Sequence, residues 1–386
     1  MKGRSSRRRL DAGERSWGRR RESIRGVRGV RRWSAERRES GLRIRVRRSS
    51  WSRLSGVRWR RGAAFALALL LAVLTLGGCG SGNPSSGKTY TVGVVQIVSH
   101  VALDAARQGF VDGLKEEGFE EGKNLNLILR NAEGSQDTAR QIADKFVSDR
   151  VDLILAIATP AAQAAAQATK SSSIPVVITA VTDPVAAGLV HSLEKPGTNV
   201  TGTTDMNPVE EQLALVLDVA KGKRVGILYN SGEVNSRVQV DIAKEAAKKL
   251  GLELVERTVT NTNEVQQAAE ALAAQGVDAF YIPTDNTVVA GLPNVLQVAE
   301  RHKIPVIAGE GDSVKNGALA TYGIDYYSLG KQTAKMAAKI LRGEAKPQDM
   351  PVERQKDLKF FLNLKAAERM GVEVPDAWKK RANETY

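Results

Sequence analysis

The sequence is poor in the groups that do covalent and metal chemistry: 386 residues hold one cysteine, Cys79, and three histidines, His100, His191 and His302. A lone cysteine has no intramolecular disulfide partner, and no histidine has a carboxylate or thiol at metal-ligand spacing, which argues against a zinc site. The Gly-x-Ser-x-Gly elbow, the Walker phosphate loop and a Gly-x-Gly-x-x-Gly after the first strand are missing too, which argues against hydrolysis and nucleotide use. No catalytic group, cofactor or metal is expected, so the reading is of a protein that binds rather than converts.

Acidic residues are scarce at one end only. The whole chain has a formal charge of +14, which taken alone suggests nucleic acid or membrane as a partner. Residues 1–61, however, hold 23 Lys and Arg against 5 Asp and Glu, residues 62–78 hold none of either, and 34 basic against 38 acidic residues remain from Cys79 onward. The body is mildly acidic, and a nucleic-acid partner is not expected for it.

Residues 1–56 carry runs such as Arg7–Arg9 and Arg19–Arg21 with little apolar periodicity, so they are read as disordered. Two origins are open: a basic arm with Trp17, Trp33 and Trp51 available to stack on bases, or an untranslated extension with the start near Leu54 or Val57. Residues 57–78 have the parts of an export signal in order, with Arg58, Arg60 and Arg61 ahead of an apolar stretch from Ala63 to Leu76. That stretch falls short of the roughly 20 residues a membrane-spanning helix needs. Leu76-Gly77-Gly78-Cys79 resembles the bacterial lipobox, which implies lipidation of Cys79, anchorage to the outer face of the cell membrane and a tether over 79–89.

From Cys79 on, one pattern is written twice. Val151–Pro184 and Val277–Val314 each read as an Asp-led apolar run, a polar tip, a helical segment, then Ile-Pro-Val and a second polar tip. The apolar runs barely alternate, as parallel strands covered on both faces do. The preceding elements match too: RVGILY at Arg224–Tyr229 answers the first strand at Tyr90–Val98, and the helix and strand that follow also repeat. An α/β architecture of two similar doubly wound parallel-sheet lobes joined by a hinge is expected, with lobe I over 90–204 and lobe II over 205–317. Residues 318–386 are expected to form a return segment, a hinge and C-terminal helices packing on lobe I.

Ligands of such sheets collect beyond the carboxyl ends of the strands. The polar tips fall there: Thr159 and Thr182 with Asp183 in the first half, Asp285 and Glu310 in the second. Hydroxyls at helix starts suit a ligand carboxylate and acids suit an ammonium, so Thr159 and Thr182 are candidates for the first task and Asp285 and Glu310 for the second. The same residue types are common helix caps, and each tip therefore admits a purely capping role. Tyr229, at a strand end, either packs on an apolar ligand or belongs to the core. A few charge-assisted hydrogen bonds at roughly 1.5 to 3 kcal/mol each, with one buried apolar side chain, reach about −8 kcal/mol, a micromolar affinity.

The strings VGVVQIVSHVALDAARQGFVDGLKEEGF, DLILAIATPAAQAA, IPVVITAVTDPVAAGLV, PGTNVTG and TYGIDYYSLGKQTAKMAAKIL resemble the bacterial ABC-transporter substrate-binding proteins linked to tryptophan and tyrosine uptake, over about Tyr90–Met370. The resemblance implies a type I periplasmic-binding-protein fold, a monomer that closes on a small amino-acid ligand, aromatic or branched, and hands it to an ABC permease. It extends the binding set to Gln96, Asp183, Asn230 and Asp325. The family's commoner His-Pro-Ala-Leu-Asp is here His100-Val101-Ala102-Leu103-Asp104. A sensor of the same fold serving a signalling receptor is the alternative.

Overall fold

Apolar runs too short for helices and bounded by turn residues become strands, and the amphipathic segments between them become the helices that cover the sheets. In the computed structural model, which describes residues 88–386, strand and helix alternate through β1 (Tyr90–Gln96), α1 (Val101–Glu116), β2 (Leu125–Asn131), α2 (Gln136–Ser148), β3 (Leu153–Ile157), α3 (Thr159–Thr169), β4 (Val176–Val181) and β5 (Val200–Thr204). The second half runs α4 (Val209–Val219), β6 (Arg224–Asn230), α5 (Val234–Leu250), β7 (Glu253–Val259), α6 (Val265–Ala274), β8 (Ala279–Ile282), α7 (Asn286–Ala290), α8 (Leu292–His302), β9 (Val306–Ala308), α9 (Gly311–Lys315) and β10 (Ala320–Gly323). The chain ends in α10 (Tyr326–Leu341), β11 (Glu353–Arg354), β12 (Lys359–Leu362), α11 (Leu364–Met370), α12 (Asp376–Arg381) and β13 (Glu384–Thr385). The Arg-rich extension, the export signal, Cys79 and most of the tether lie outside the described residues.

Two sheets result, with strand orders β11-β5-β4-β3-β1-β2 and β13-β12-β10-β9-β8-β6-β7. Every pairing is parallel except β10 with β12. Strands β3 and β4 are buried at every residue, which is why their sequences do not alternate. Each sheet has its own apolar core, one around Val94, Leu155 and Ile178, the other around Ile227, Phe280 and Ile307.

The chain passes between the lobes three times, at 205–208, at 324–325 and at 355–358. The second passage carries α10 back to the first lobe, where Leu329, Ala334 and Ala337 join its core. There α10 lies directly on α1 because glycines face each other: a Cβ on Gly330 would stand 2.0 Å from the Ala106 carbonyl oxygen, and one on Gly109 would stand 2.0 Å from that of Tyr327. The expectation that the C-terminal helices also pack on lobe I is corrected. Strand β12 adds antiparallel to β10, so the chain after it stays with the second sheet, and Ala366, Met370 and Trp378 fill that lobe's core. The Trp378 indole N–H reaches Asp218 at 2.9 Å.

Candidate functional site between the lobes

Strands β1, β3, β4 and β5 of one sheet and β6, β8 and β9 of the other end on the same gap, where two adjoining cavities lie between the lobes. The inner one, about 10 Å³, is lined by His100 and Leu103 of the α1 turn, Thr182 after β4, Asp205 after β5, Asn235 of α5, Thr284 and Asn286 after β8, Glu310 before α9, and Tyr326 of α10. The outer one, about 270 Å³, is bounded by Val98, Gln136 and Pro160 on one side and Asn230, Glu233, Asn261 and Thr287 on the other, and shares Asn286 with the first. A larger hollow of about 580 Å³ lies wholly on the first lobe between α3 and the segment after β4. None of its lining residues has an unpaired buried polar atom, so it carries no comparable demand for a ligand.

Buried polar groups in folded proteins are nearly always hydrogen-bonded. Among the described residues nine buried side-chain nitrogen and oxygen atoms have no partner, and six of them belong to residues lining the inner cavity: both ring nitrogens of His100, Asp205 Oδ1, Asn235 Oδ1, Thr284 Oγ1 and Glu310 Oε2. A cluster of that kind is what a polar guest leaves unmatched when absent from the site.

The electrostatics have one sign. Glu310 caps α9, its Oε1 accepting from the Ser313 N–H at 2.9 Å and from the Ser313 hydroxyl, while Oε2 is free. Burial, helped by the charge of Asp312, pushes its carboxyl up to about 8. Asp205 is raised by burial as well, against the pull of the Tyr326 hydroxyl that donates to Oδ2. Burial pushes His100 down to about 4 despite the neighbouring Asn286 amide and Asp104 carboxylate, so its ring is neutral. Among the described residues no Lys or Arg lines the inner cavity. In the outer one Glu233, raised to about 7 by burial and then by Asp285, accepts from Asn235 at 3.0 Å, Asn286 at 2.5 Å and Thr287 at 3.1 Å. Two buried acids with no cationic side chain among the described lining residues suit an ammonium group.

An arrangement that suits a carboxylate lies on the first lobe. Helix α3 begins at Thr159 without a side-chain cap, its preceding residue Ala158 is held at φ 79°, and Thr159 Oγ1 is buried and unpaired. Ala180, beside Thr182, is likewise at positive φ, 56°. Such backbone conformations cost of order 1–3 kcal/mol each and cluster where chains are held for function.

Of the residues singled out from sequence, Thr182 and Glu310 line the inner cavity and Asn230 the outer, with Thr159 next to Pro160 at its edge. Gln96 is buried but braces the turn before α1 through the Val98 carbonyl and Asp104, both at 2.8 Å. The others are spent elsewhere and line neither cavity. Asp285 caps α7, receiving the N–H groups of Val288 at 2.8 Å and Asn230 at 2.5 Å and the Ser236 hydroxyl at 2.6 Å, so its assignment to a ligand ammonium is corrected. Tyr229 reaches away to Glu256 at 2.9 Å. Asp183 closes the turn at Val185 and Ala186, and Asp325 caps α10 and pairs with Lys359 at 3.0 Å. Sequence reasoning missed Asp205, Asn235, Asn286 and Tyr326; the first sits in a crossing segment and the others just inside helices, where they read as caps or core.

Residues 91–386 match the model of the ABC transporter substrate binding protein family. The chain belongs to that family. It is 43% identical over 308 residues to a tyrosine-binding protein of Clostridioides difficile, covering 77% of this chain and 88% of the relative. A crystal structure from Streptococcus pneumonia in complex with L-Trp superposes with a TM-score of 0.73 at 37% identity, covering 78% of this chain and all of that one. A ligand-free, open substrate-binding protein with adhesive properties from Clostridium difficile gives 0.58 at 46% identity, covering 77% and 99%. The L-Trp complex superposes better than the ligand-free, open structure although it is less similar in sequence. The fold is the type I periplasmic-binding-protein fold, and the family is one of binding proteins rather than enzymes.

Proposed function

We propose that this substrate-binding protein captures a single amino acid, aromatic in preference, between its lobes on the outer side of the cell membrane and delivers it as a monomer to an ABC permease. Glu310 takes the ammonium, and Thr182, with Thr159 at the open start of α3, takes the carboxylate. Asn230 borders the space left for the side chain. The observation that carries this reading is the set of six unpaired buried atoms around the inner cavity, two of them carboxyl oxygens with no cationic side chain beside them. The tyrosine named for one relative and the L-Trp bound in another support an aromatic ligand. Among the described residues no helix is long and apolar enough to cross a membrane. Export and attachment through a lipidated Cys79 rest on the signal-like 57–78 segment alone.

The test is a thermal-shift and calorimetric screen of the region from Ser81 onward against the twenty amino acids and simple sugars. One or two amino acids should bind at one site per chain and raise stability by about 2.7 kcal/mol at a hundredfold excess over Kd. Binding by a sugar with no amino acid binding would overturn the reading.

A further inference from the structure

We infer that Asp205, held by the Tyr326 hydroxyl where the chain first passes between the lobes, is a second acceptor for the ligand's ammonium group. The inference rests on the amino-acid reading above and names a recognition residue that the strand-end pattern does not reveal.

Asp205 follows β5 and precedes α4, so it belongs to neither lobe's regular structure but to the crossing itself. It is only 2% exposed, and it lines the inner cavity. Its two oxygens are in different situations. Oδ2 accepts from Tyr326, the first residue of α10, which directly follows the second crossing. Oδ1 has no partner. A residue needed only to fix Tyr326 has no use for the second buried oxygen, and an unmet acceptor of this kind is costly to keep out of water.

A primary ammonium supplies three donors. Glu310 Oε2 approaches the cavity from the second lobe and Asp205 Oδ1 from the crossing, while the unpaired Asn235 Oδ1 and Thr284 Oγ1 are neutral acceptors in the same wall. With no Lys or Arg among the described lining residues, positive charge at this wall comes from the guest. An ammonium bridging Glu310 and Asp205 fastens the second lobe to a segment whose own hydrogen bond reaches the other crossing. Ligand recognition and lobe position are then joined through one side chain, and Tyr326 acts as its positioning residue.

The experiment measures affinities of the purified protein for L-tyrosine and L-tryptophan, and for desaminotyrosine and indolepropionate, which lack only the amine. Asp205→Asn keeps an acceptor for Tyr326 and removes the charge. It is expected to weaken the amino acids about 10- to 100-fold, the scale of one charge-assisted hydrogen bond, and to change the desamino compounds less than about twofold. Tyr326→Phe, which keeps the ring in the core, should weaken the amino acids about threefold to tenfold with the same selectivity, and it carries the test if Asp205→Asn does not fold. Equal losses for both compound classes, or wild-type affinity in Asp205→Asn, overturn the inference while leaving the amino-acid reading intact. If the wild-type protein binds neither amino acid, the aromatic amino-acid reading falls and this inference falls with it.

Discussion

Replacing Glu310 with Gln separates two tasks of one side chain. The α9 cap uses only an acceptor oxygen, Oε1, which glutamine also has; the charge resides on a carboxyl whose other oxygen is unpaired. Burial and Asp312 raise the folded-state pKa from 4.5 to about 8. Since the folded state then holds its proton more tightly than the unfolded one, the carboxyl costs nothing well below pH ~4.5, and its cost grows as pH rises from there to about 8 before levelling off. At about 1.4 kcal/mol per pH unit, the cost at pH ~7.5 exceeds that at pH ~5.5 by a few kcal/mol. Ligand-free Glu310→Gln should therefore gain in Tm over wild type by about 5 °C more at the higher pH than at the lower, read by differential scanning calorimetry. Referring each value to wild type at the same pH cancels the contribution of Glu233, which burial also raises, whereas Asp312 titrates together with Glu310 and is part of the offset. The same variant should bind L-tyrosine or L-tryptophan about 10- to 100-fold more weakly, because the ammonium loses its charged acceptor on the second lobe. A Tm offset independent of pH, or unchanged affinity, would refute both the electrostatic argument and the role given to Oε2.

Gly330→Ala would drive a methyl into the Ala106 carbonyl and lift α10 from α1; chemical denaturation should show a loss of about 3 kcal/mol. Asp285→Ala should cost about 2 kcal/mol through the lost α7 cap and the orphaned Asn230 N–H. Its preference for L-tyrosine over desaminotyrosine should stay as in wild type, the reverse of the pattern expected for Asp205→Asn. Cys79→Ala should move the protein from the membrane fraction to the soluble fraction and abolish incorporation of labelled palmitate; retention on the membrane would remove lipidation from the proposal.

The lobes were legible because strands covered on both faces leave an unmistakable trace: Leu153–Ile157 and Val176–Val181 are apolar throughout, and the same run, tip, helix and run recur at Ala279–Ala308. The placement of residues 359–386 was not legible. Lys359–Leu362 looks alike whether it joins one sheet or the other, and only its antiparallel pairing with β10 takes α11 and α12 to the second lobe. The site was half visible. Thr182 and Glu310 stand at strand ends where the doubly wound pattern directs attention, whereas Asp205 and Tyr326 are 121 positions apart and meet only because two crossings run side by side.

What separates a cap from a ligand contact is the second oxygen, which depends on residues distant in the chain. Asp285, Asp325 and Glu310 are the same local device, an acid accepting from an N–H three residues on. Asp285 gives its other oxygen to Asn230 and Ser236, and Asp325 gives its own to Lys359. Glu310 gives its other oxygen to nothing, and neither does Asp205. Each unmet buried group costs about 1 to 3 kcal/mol, so on the proposed reading closing the lobes on an empty inner cavity is uphill by several kcal/mol. Opening the cleft returns water to all of these atoms together. On the proposed reading, a guest whose ammonium donates to these oxygens reverses the sign of closure, and the same unpaired atoms that make the empty closed form costly make the filled one selective.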